Sequence, residues 1–294
     1  MAGCGGMLGQ AFYKIFKEDY LLRCTDKDVN DDWLSFLDFN DVENYKNDVY
    51  KFKPDYLFHL GALTDLEFCE ENKDLTYITN TLSVENAVSI SNKLNIPILY
   101  ISTAGIFDGN QLEYDDWDMP NPLGAYARSK YMGERFVCEN ANQFLICRAG
   151  WMMGSGPNKD KKFIQKLMKQ IKAGAKELFI VDDKDGTPTY TEDFAITVKG
   201  LIENELWGLY NCVCGGQTAR LEVAKELIKI IGYENQIKIN SVKSDFFKDE
   251  YFAPRPPSER LINKKLDLRN MNKMRDWKIS LKEYINNYYQ DYLN

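Results

Sequence analysis

The chain has 294 residues, of which 44% are hydrophobic and 28% are charged, and its formal net charge is −7. This length and composition are typical of one globular domain, or of one domain with a smaller lobe, and they exclude a fibrous or wholly disordered protein. An acidic chain gives no indication of a nucleic-acid partner or of an anionic membrane surface.

The sequence also bears on the compartment. No apolar run approaches the roughly 20 residues that cross a bilayer. We expect no signal peptide and no membrane partner. The seven cysteines are scattered and odd in number, which is typical of reduced thiols rather than of a disulfide framework. We therefore expect a cytoplasmic protein without a bound metal.

A glycine-rich turn lies at the start of the chain. Gly3, Gly6 and Gly9 have the spacing G-x-x-G-x-x-G, and apolar residues follow at helical spacing. Such a turn lets backbone N–H groups approach a pyrophosphate at the N-terminus of a helix. Glycine turns without a ligand are also common, so the surrounding elements decide between the two interpretations.

A buried strand normally precedes a turn of this kind, and here only Met1 and Ala2 do so. A strand of mean length would need about five or six residues. We therefore expect that the first, central strand is truncated and that the chain as given starts late. The alternative is a fold that tolerates a missing strand.

Strands and helices alternate through the first half of the chain. Apolar runs predict strands at 20–24, 34–38, 56–60, 98–102 and 144–148, and helical periodicity predicts helices at 41–49, 75–94 and 125–138. This alternation predicts a parallel sheet with helices on both faces, which is a Rossmann-like, doubly wound α/β fold.

The pattern is less regular after about residue 150. The sequence predicts a basic amphipathic helix at 161–173, a strand at 178–181, and helices at 221–231 and 281–289. We expect a larger domain over residues 1–150 and a smaller C-terminal lobe over 151–294. The two are interleaved, with returns to the sheet near 186–215.

A tyrosine and a lysine lie four residues apart on one predicted helix. Tyr126 and Lys130 therefore share a helical face. A lysine ammonium next to a phenol lowers the pKa of that phenol, and the phenol can then pass a proton to a carbonyl oxygen. The same spacing arises often by chance. Its position after a strand that ends at Thr103, whose hydroxyl could reach the same oxygen, favours a catalytic role.

Taken in order, these motifs resemble those of the extended short-chain dehydrogenase/reductases, and most closely the dTDP-4-dehydrorhamnose reductase family. Residues 102–109 resemble its S-T-D-Y-V-F-D-G strand end, and residues 114–126 resemble its Y-x-E-x-D…N-P-x-x-x-Y stretch. Residues 186–189 resemble its G-x-P-T turn, and residues 255–261 resemble its R-P-x-x-x-R-L stretch. The resemblance covers nearly the whole chain.

The resemblance implies an enzyme that reduces the 4-keto group of a nucleotide-activated 6-deoxysugar for surface polysaccharide. The implied catalytic residues are Thr103, Tyr126 and Lys130, with Tyr126 as proton donor. The residues implied to hold NADH or NADPH in the 1–150 domain are Gly3, Gly6, Met7, Leu8, Gly9, Asp26, Asp38, Gly61, Ala62 and Leu63, together with Tyr126 and Lys130. Those implied to contact the nucleotide sugar are Thr64, Glu67, Thr103, Ala104, Trp151 and Arg255.

The choice of cofactor stays open. Asp26 lies near the end of the second predicted strand, where an acid binds the ribose 2′-hydroxyl and favours NADH. Arg23 and Lys27 flank it and could accept the 2′-phosphate of NADPH. A solvated turn is the third interpretation.

Two departures from the family pattern leave the substrate open. Ala104 replaces a carboxylate and Gly105 an aromatic residue beside Thr103, and Pro254 replaces an arginine. The alternatives are another extended reductase or epimerase on a different sugar nucleotide, and a non-catalytic, cofactor-binding regulatory subunit. The intact catalytic set favours an enzyme, and a homodimer is the general expectation.

Other polar residues have simpler interpretations. His59, the only histidine, lies in an apolar strand, and we expect a packed side chain rather than a general base. Glu67, Glu70 and Glu71 are expected on a helix surface, with Glu67 near the substrate end.

Overall fold

The computed structural model describes residues 1–293. Its first half contains the helices α1 (Met7–Phe16), α2 (Val42–Phe52), α3 (Leu66–Glu71), α4 (Lys73–Tyr77), α5 (Ser83–Leu94) and α6 (Ala125–Asn140). The strands of this half are β1 (Thr25–Asp26), β2 (Ser35–Phe36), β3 (Leu57–His59), β4 (Ile98–Thr103) and β5 (Phe144–Ala149).

The second half contains the helices α7 (Gly156–Lys159), α8 (Phe163–Lys172), α9 (Thr191–Glu203), α10 (Arg220–Ile230), α11 (Lys264–Leu268) and α12 (Trp277–Tyr288). Its strands are β6 (Trp151–Met153), β7 (Glu177–Val181), β8 (Asp185–Gly186), β9 (Pro188–Tyr190), β10 (Gly208–Asn211), β11 (Thr218–Ala219), β12 (Lys238–Val242) and β13 (Ser258–Glu259). Among residues 1–293, no helix combines the length and the apolar character needed to span a membrane.

A parallel sheet forms the centre of the molecule. Strands β10, β5, β4 and β3 are neighbours in that order, and β1 pairs in parallel with β2. Ala2 joins the two parts, because it pairs in parallel with Thr25 on one side and with His59 on the other. The aliphatic run of β4 is buried between helices on both faces, as expected for a parallel sheet. The predicted doubly wound α/β fold is confirmed.

The prediction of a strand at 20–24 is wrong in extent. Regular strand structure begins only at Thr25. The first residues of the chain bond to this segment, with the Met1 amino group donating to Arg23 O, the N–H of Thr25 donating to Met1 O, and the N–H groups of Gly3 and Cys4 donating to Thr25 O. Arg23 O and Cys24 O each accept a backbone hydrogen bond, from Met1 and Ser35, but residues 20–24 do not form a regular strand. The expectation of a late start stays a prediction.

The single helix predicted at 75–94 is interrupted. A five-residue π-helical turn, Ile78–Leu82, separates α4 from α5. Its buried polar side chains bond to α6, with Asn80 Nδ2 donating to Ser129 Oγ and Thr81 Oγ1 donating to Ser129 O. Insertions of this kind occur often at functional sites.

The second half wraps around the carboxyl edge of the sheet. Strands β7 and β12 form one parallel pair, β6 and β9 another, and β8 lies between β11 and β13. Helix α8 buries the apolar face that its periodicity predicts. Strand β10 belongs to the second half and yet pairs with β5 of the central sheet. The division near residue 150 stays a prediction.

Candidate active site

The glycine turn lies at the carboxyl edge of the sheet, between β1 and β3. Gly3 has a φ of 79°, and a Cβ there would lie 2.3 Å from the Cα of Gly61, so a side chain is excluded. Gly6 precedes α1, and a Cβ on it would meet nothing within 4 Å. The N-terminus of α1, where Met7 and Leu8 begin the helix, is therefore open to an anionic ligand. Gly9 packs against Cys4 O, which brings the helix onto the turn.

An acid closes the other side of the turn. Asp26 Oδ2 accepts a hydrogen bond from the N–H of Gly5 at 2.7 Å, and Oδ1 accepts one from the N–H of Asp28 at 2.9 Å. Arg23 is engaged elsewhere, because its guanidinium donates to Asp48 Oδ1 at 2.7 Å and to Ser35 Oγ at 2.7 Å. Lys27 is exposed. Of the three candidates, only the Asp26 carboxylate contacts the glycine turn.

Further residues predicted to bind the cofactor follow β2 and β3 at the same edge of the sheet. Asp38 follows β2 and accepts a hydrogen bond from the N–H of Asn40 at 2.9 Å. Gly61 follows β3 and packs against Phe39, whose ring would clash with a Cβ at 2.1 Å. Ala62 separates it from Leu63, whose backbone bonds in both directions to the amide of Asn80. The π-helical turn thus fixes the shape of the 61–63 segment.

The three predicted catalytic residues lie on β4 and α6. Thr103 ends β4, and its Oγ1 accepts a hydrogen bond from the N–H of Gly105 at 3.1 Å. Helix α6 presents Tyr126 and Lys130, and Glu70 Oε2 accepts the Ala125 N–H at 2.7 Å at its N-terminus. Glu70 therefore caps α6, whereas the sequence placed it on a plain helix surface.

The pKa of Tyr126 differs in direction from the sequence expectation. Burial raises it to about 12, although hydrogen bonding to the Thr103 hydroxyl lowers it. The Lys130 ammonium lies 4.2 Å from the centre of the Tyr100 ring, and burial lowers its pKa to about 7. A lysine that is only partly charged at neutral pH lowers the pKa of a neighbouring phenol less than a full cation does.

The second half of the chain supplies further polar and aromatic residues of the candidate site. Arg255 donates to both carboxylate oxygens of Glu67, at 2.7 and 2.9 Å. Lys162 Nζ donates to Thr64 O at 3.1 Å and to Thr64 Oγ1 at 3.0 Å. The guanidinium of Arg220 lies 3.8 Å from the centre of the Trp151 ring, and burial lowers the pKa of Arg220 to about 10.

Ala104 is placed differently from the other predicted substrate contacts. Its side chain is 2% exposed and packs in an apolar cluster with Ile106 and Phe107. The small side chain fits this cluster under the end of β4, so the structure does not bring it to the open surface of the site. Gly105, the next residue, is also buried, and a Cβ there would lie 3.2 Å from Glu259 Oε1 and 3.5 Å from Thr103 Oγ1.

Sequence reasoning missed four polar residues of the site. Asn80 stands in a segment interpreted only as a helix, Lys162 in a basic helix interpreted first as a solvated face, Arg220 in no motif, and Glu259 at a variable position of the 255–261 stretch. No local signal marks them, because each contacts residues that are distant in sequence.

His59 is confirmed as a packed residue. Its ring nitrogens share hydrogen bonds with the Tyr45 hydroxyl at 3.2 Å and the Ser83 hydroxyl at 3.1 Å. Burial lowers the pKa of His59 to about 3, so the ring stays neutral near pH 7.

The sequence is similar to those of known proteins. Residues 1–290 match a family model described as the RmlD substrate binding domain. The spore coat polysaccharide biosynthesis protein SpsK of Bacillus subtilis (strain 168) is 25% identical, over 97% of this chain and 95% of its own length. The methionine adenosyltransferase 2 subunit beta of Xenopus laevis is 25% identical, over 76% of this chain and 69% of its own length.

The fold is similar to that of solved structures over nearly the whole chain. A dTDP-4-dehydrorhamnose reductase from Clostridium acetobutylicum ATCC 824 is 30% identical, with a TM-score of 0.86 and coverage of 97% of both chains. A dTDP-4-dehydrorhamnose reductase from Bacillus anthracis str. Ames, solved in complex with NADP, is 27% identical, with a TM-score of 0.87 and coverage of 97% of both chains.

Proposed function

The chain belongs to the family described as the RmlD substrate binding domain, and on this premise we propose that it reduces the 4-keto group of a nucleotide-activated 6-deoxysugar. The predicted dTDP-4-dehydrorhamnose reductase family is confirmed by the family model and by two reductase structures at 27% and 30% identity. The predicted class, an oxidoreductase that uses NADH or NADPH, is confirmed with it.

The observation that carries the proposal is the convergence of three groups at one edge of the sheet. The Thr103 hydroxyl lies close enough to the Tyr126 phenol to lower its pKa, and the open N-terminus of α1 lies at the same edge. Carboxyl edges of parallel strands are where α/β folds bind nucleotides. A general acid next to a dinucleotide site is the arrangement that carbonyl reduction needs.

The residues present fit a nicotinamide dinucleotide. The open turn at Gly6 would receive the pyrophosphate, and the Asp26 carboxylate would accept a ribose hydroxyl. The predicted contacts at Asp38 and at residues 61–63 lie along the same edge. When bound in its reduced form, the cofactor supplies a hydride for the ketone carbon.

The chain's own residues handle the proton. Tyr126 donates its phenolic proton to the carbonyl oxygen, and Thr103 donates a hydrogen bond to the same oxygen. Burial raises the pKa of Tyr126 to about 12, which keeps the phenol protonated and ready to act as an acid. Lys130 would hold the cofactor ribose and, when charged, would bring the pKa of Tyr126 down.

Cationic side chains suit the diphosphate of a nucleotide sugar. Arg220 lies over Trp151, Arg255 pairs with Glu67 and Lys162 bonds to Thr64, and a guanidinium can bind phosphate oxygens in a bidentate manner. Trp151 offers a flat apolar surface beside them. We propose that Thr64, Glu67 and Trp151 complete the nucleotide-sugar site.

The biological setting is proposed from a relative's name and from the cysteines. The printed name of the Bacillus subtilis relative refers to spore coat polysaccharide, which supports a role in surface polysaccharide. All seven cysteines are free, as expected in a reducing compartment, and the cytoplasmic location stays a prediction. The homodimer also stays a prediction.

A regulatory subunit is the second candidate function. It is favoured by the 25% identity to a subunit of methionine adenosyltransferase 2. The presence of Thr103, Tyr126 and Lys130 together favours the enzyme, because binding a partner protein does not need all three. Another reductase or epimerase on a different sugar nucleotide stays an alternative, since Gly105 departs from the family pattern.

The test compares Tyr126→Phe with Tyr131→Phe, a tyrosine on the same helix outside the proposed site. NADH and NADPH binding is measured by fluorescence, and oxidation of the cofactor is followed with a dTDP-4-keto-6-deoxysugar. Loss of the general acid should lower kcat by roughly 100-fold or more, with cofactor affinity within a few-fold. Equal turnover in both variants would remove Tyr126 from the mechanism. A wild-type chain that binds no cofactor would favour the regulatory subunit.

A further inference from the structure

Glu259 lies on β13 at the rim of the proposed site. Its backbone is fixed by parallel pairing with Gly186 of β8. Its Oε2 accepts a hydrogen bond from Trp151 Nε1 at 2.7 Å. Its Oε1 accepts no hydrogen bond from the residues that the structure describes. One carboxylate oxygen is therefore anchored, and the other is available to a ligand.

The available oxygen lies against Gly105, where no side chain separates it from the Thr103 hydroxyl. A Cβ at Gly105 would lie 3.2 Å from Glu259 Oε1 and 3.5 Å from Thr103 Oγ1. The carboxylate and the catalytic hydroxyl thus flank the same small volume. The negative charge of Glu259 is also among the causes that raise the pKa of Tyr126, so the carboxylate acts electrostatically on the phenol.

Nothing within the described part of the chain neutralises this carboxylate by a direct ion pair. Arg220 lies over the face of Trp151, and it attracts Glu259 only at longer range. An unpaired carboxylate oxygen at the rim of a binding site accepts strong hydrogen bonds, because the carboxylate is charged.

We propose that Glu259 determines specificity by accepting a hydrogen bond from the donor group at C3 of the sugar. This inference rests on the proposed function, in which C4 is the carbon reduced. When Thr103 and Tyr126 hold the C4 carbonyl, the neighbouring ring carbons C3 and C5 lie next to Gly105. Of these neighbours, C5 carries a methyl group in a 6-deoxysugar, so C3 carries the donor, either a hydroxyl or an ammonium.

A simpler role would be to hold Trp151 in place, and Glu259→Gln separates the two roles. The glutamine carbonyl oxygen can still accept the indole N–H of Trp151. Its amide NH₂ group then replaces the free oxygen and cannot accept a hydrogen bond from C3. A residue that only positions Trp151 would tolerate this change, whereas a specificity-determining residue would not.

The experiment measures dissociation constants by calorimetry for three dTDP-linked 6-deoxysugars that carry a hydroxyl, an amino group or hydrogen at C3. Wild type, Glu259→Gln and the control Glu139→Gln, an exposed glutamate on α6, are compared. Wild type and control should bind one donor-bearing sugar roughly 10- to 100-fold more tightly than the 3-deoxy sugar, and the ratio should fall to a few-fold in Glu259→Gln. The donor is the hydroxyl or the amino group, according to which of the two sugars loses more affinity between wild type and Glu259→Gln.

Two results would overturn the proposal. Equal affinity of wild type for all three sugars would do so, and so would a ratio that Glu259→Gln leaves unchanged. If wild type reduces a 4-keto sugar nucleotide in either case, the proposed function stands and only the role of Glu259 fails. If wild type neither binds nor reduces any nucleotide sugar, both fail together.

Discussion

The buried ion pair between α6 and β5 allows a quantitative prediction. Glu134 on α6 accepts hydrogen bonds from Arg148 of β5 at 2.7 and 3.1 Å, and the two side chains are 3% and 4% exposed. Arg148 has two other, weaker contacts. Its Nη1 lies 3.5 Å from Asp116 O, and its guanidinium lies 5.2 Å from the centre of the Phe107 ring. Glu134→Ala would therefore leave a buried guanidinium without its counter-ion.

The expected cost follows from burial. Removing one partner of a buried pair destabilises a protein by about 3–5 kcal/mol, because the remaining charge is desolvated and unpaired. The same helix provides a matched control in Arg135 and Glu139, whose side chains are 59% and 57% exposed. An exposed pair contributes under about 1 kcal/mol, so Glu139→Ala should have little effect.

Urea unfolding followed by circular dichroism and by tryptophan fluorescence measures both variants. A lower midpoint at an unchanged slope indicates a loss of stability. The double variant Glu134→Leu with Arg148→Met should recover most of the loss, because it removes both charges together. Equal midpoints for Glu134→Ala and Glu139→Ala would refute the reasoning, since they would mean that burial adds nothing to this pair.

Four further predictions concern the cofactor, pH and the first strand. Asp26→Ala should weaken NADH more than NADPH, because the carboxylate would accept the 2′-hydroxyl of the ribose; equal losses in a fluorescence titration would contradict this assignment. The pKa of Lys130 falls from 10.5 to about 7 on folding, so the folded chain holds fewer protons between these values and stability rises with pH there. Lys130→Met should thus be most stabilising near pH 7 and less so near pH 10 in urea midpoints; a constant difference would count against the shift. The pKa of His59 falls from 6.5 to about 3, so stability should drop with acid across that window, and His59→Gln should flatten the drop. An apolar extension of about five or six residues before Met1 should raise the melting temperature by filling a cavity of about 180 Å³ between residues 20–23 and 54–58; an unchanged midpoint would show that no longer strand is accommodated.

The features that the sequence determined by itself are those with a local physical cause. The glycine spacing predicts a tight turn, and the structure requires glycine at Gly3, which has a positive φ against Gly61, and at Gly9, where a Cβ would lie 2.2 Å from Cys4 O. Alternating apolar runs specify buried strands and covering helices, since the period of an element follows from its backbone geometry. The four-residue spacing places Tyr126 and Lys130 on one face of α6 for the same reason.

Other properties depended on contacts between distant segments. Regular strand structure lies at Thr25–Asp26 rather than at 20–24, because it forms where this segment pairs with residues 35–36. The pKa of Tyr126 rises rather than falls, because burial and the position of Lys130 over Tyr100 are set by packing. Glu259 meets Trp151 and Gly105 only once β13 pairs with β8. Burial and long-range pairing have no local sequence signature, so the tertiary structure alone decided the electrostatics of the site.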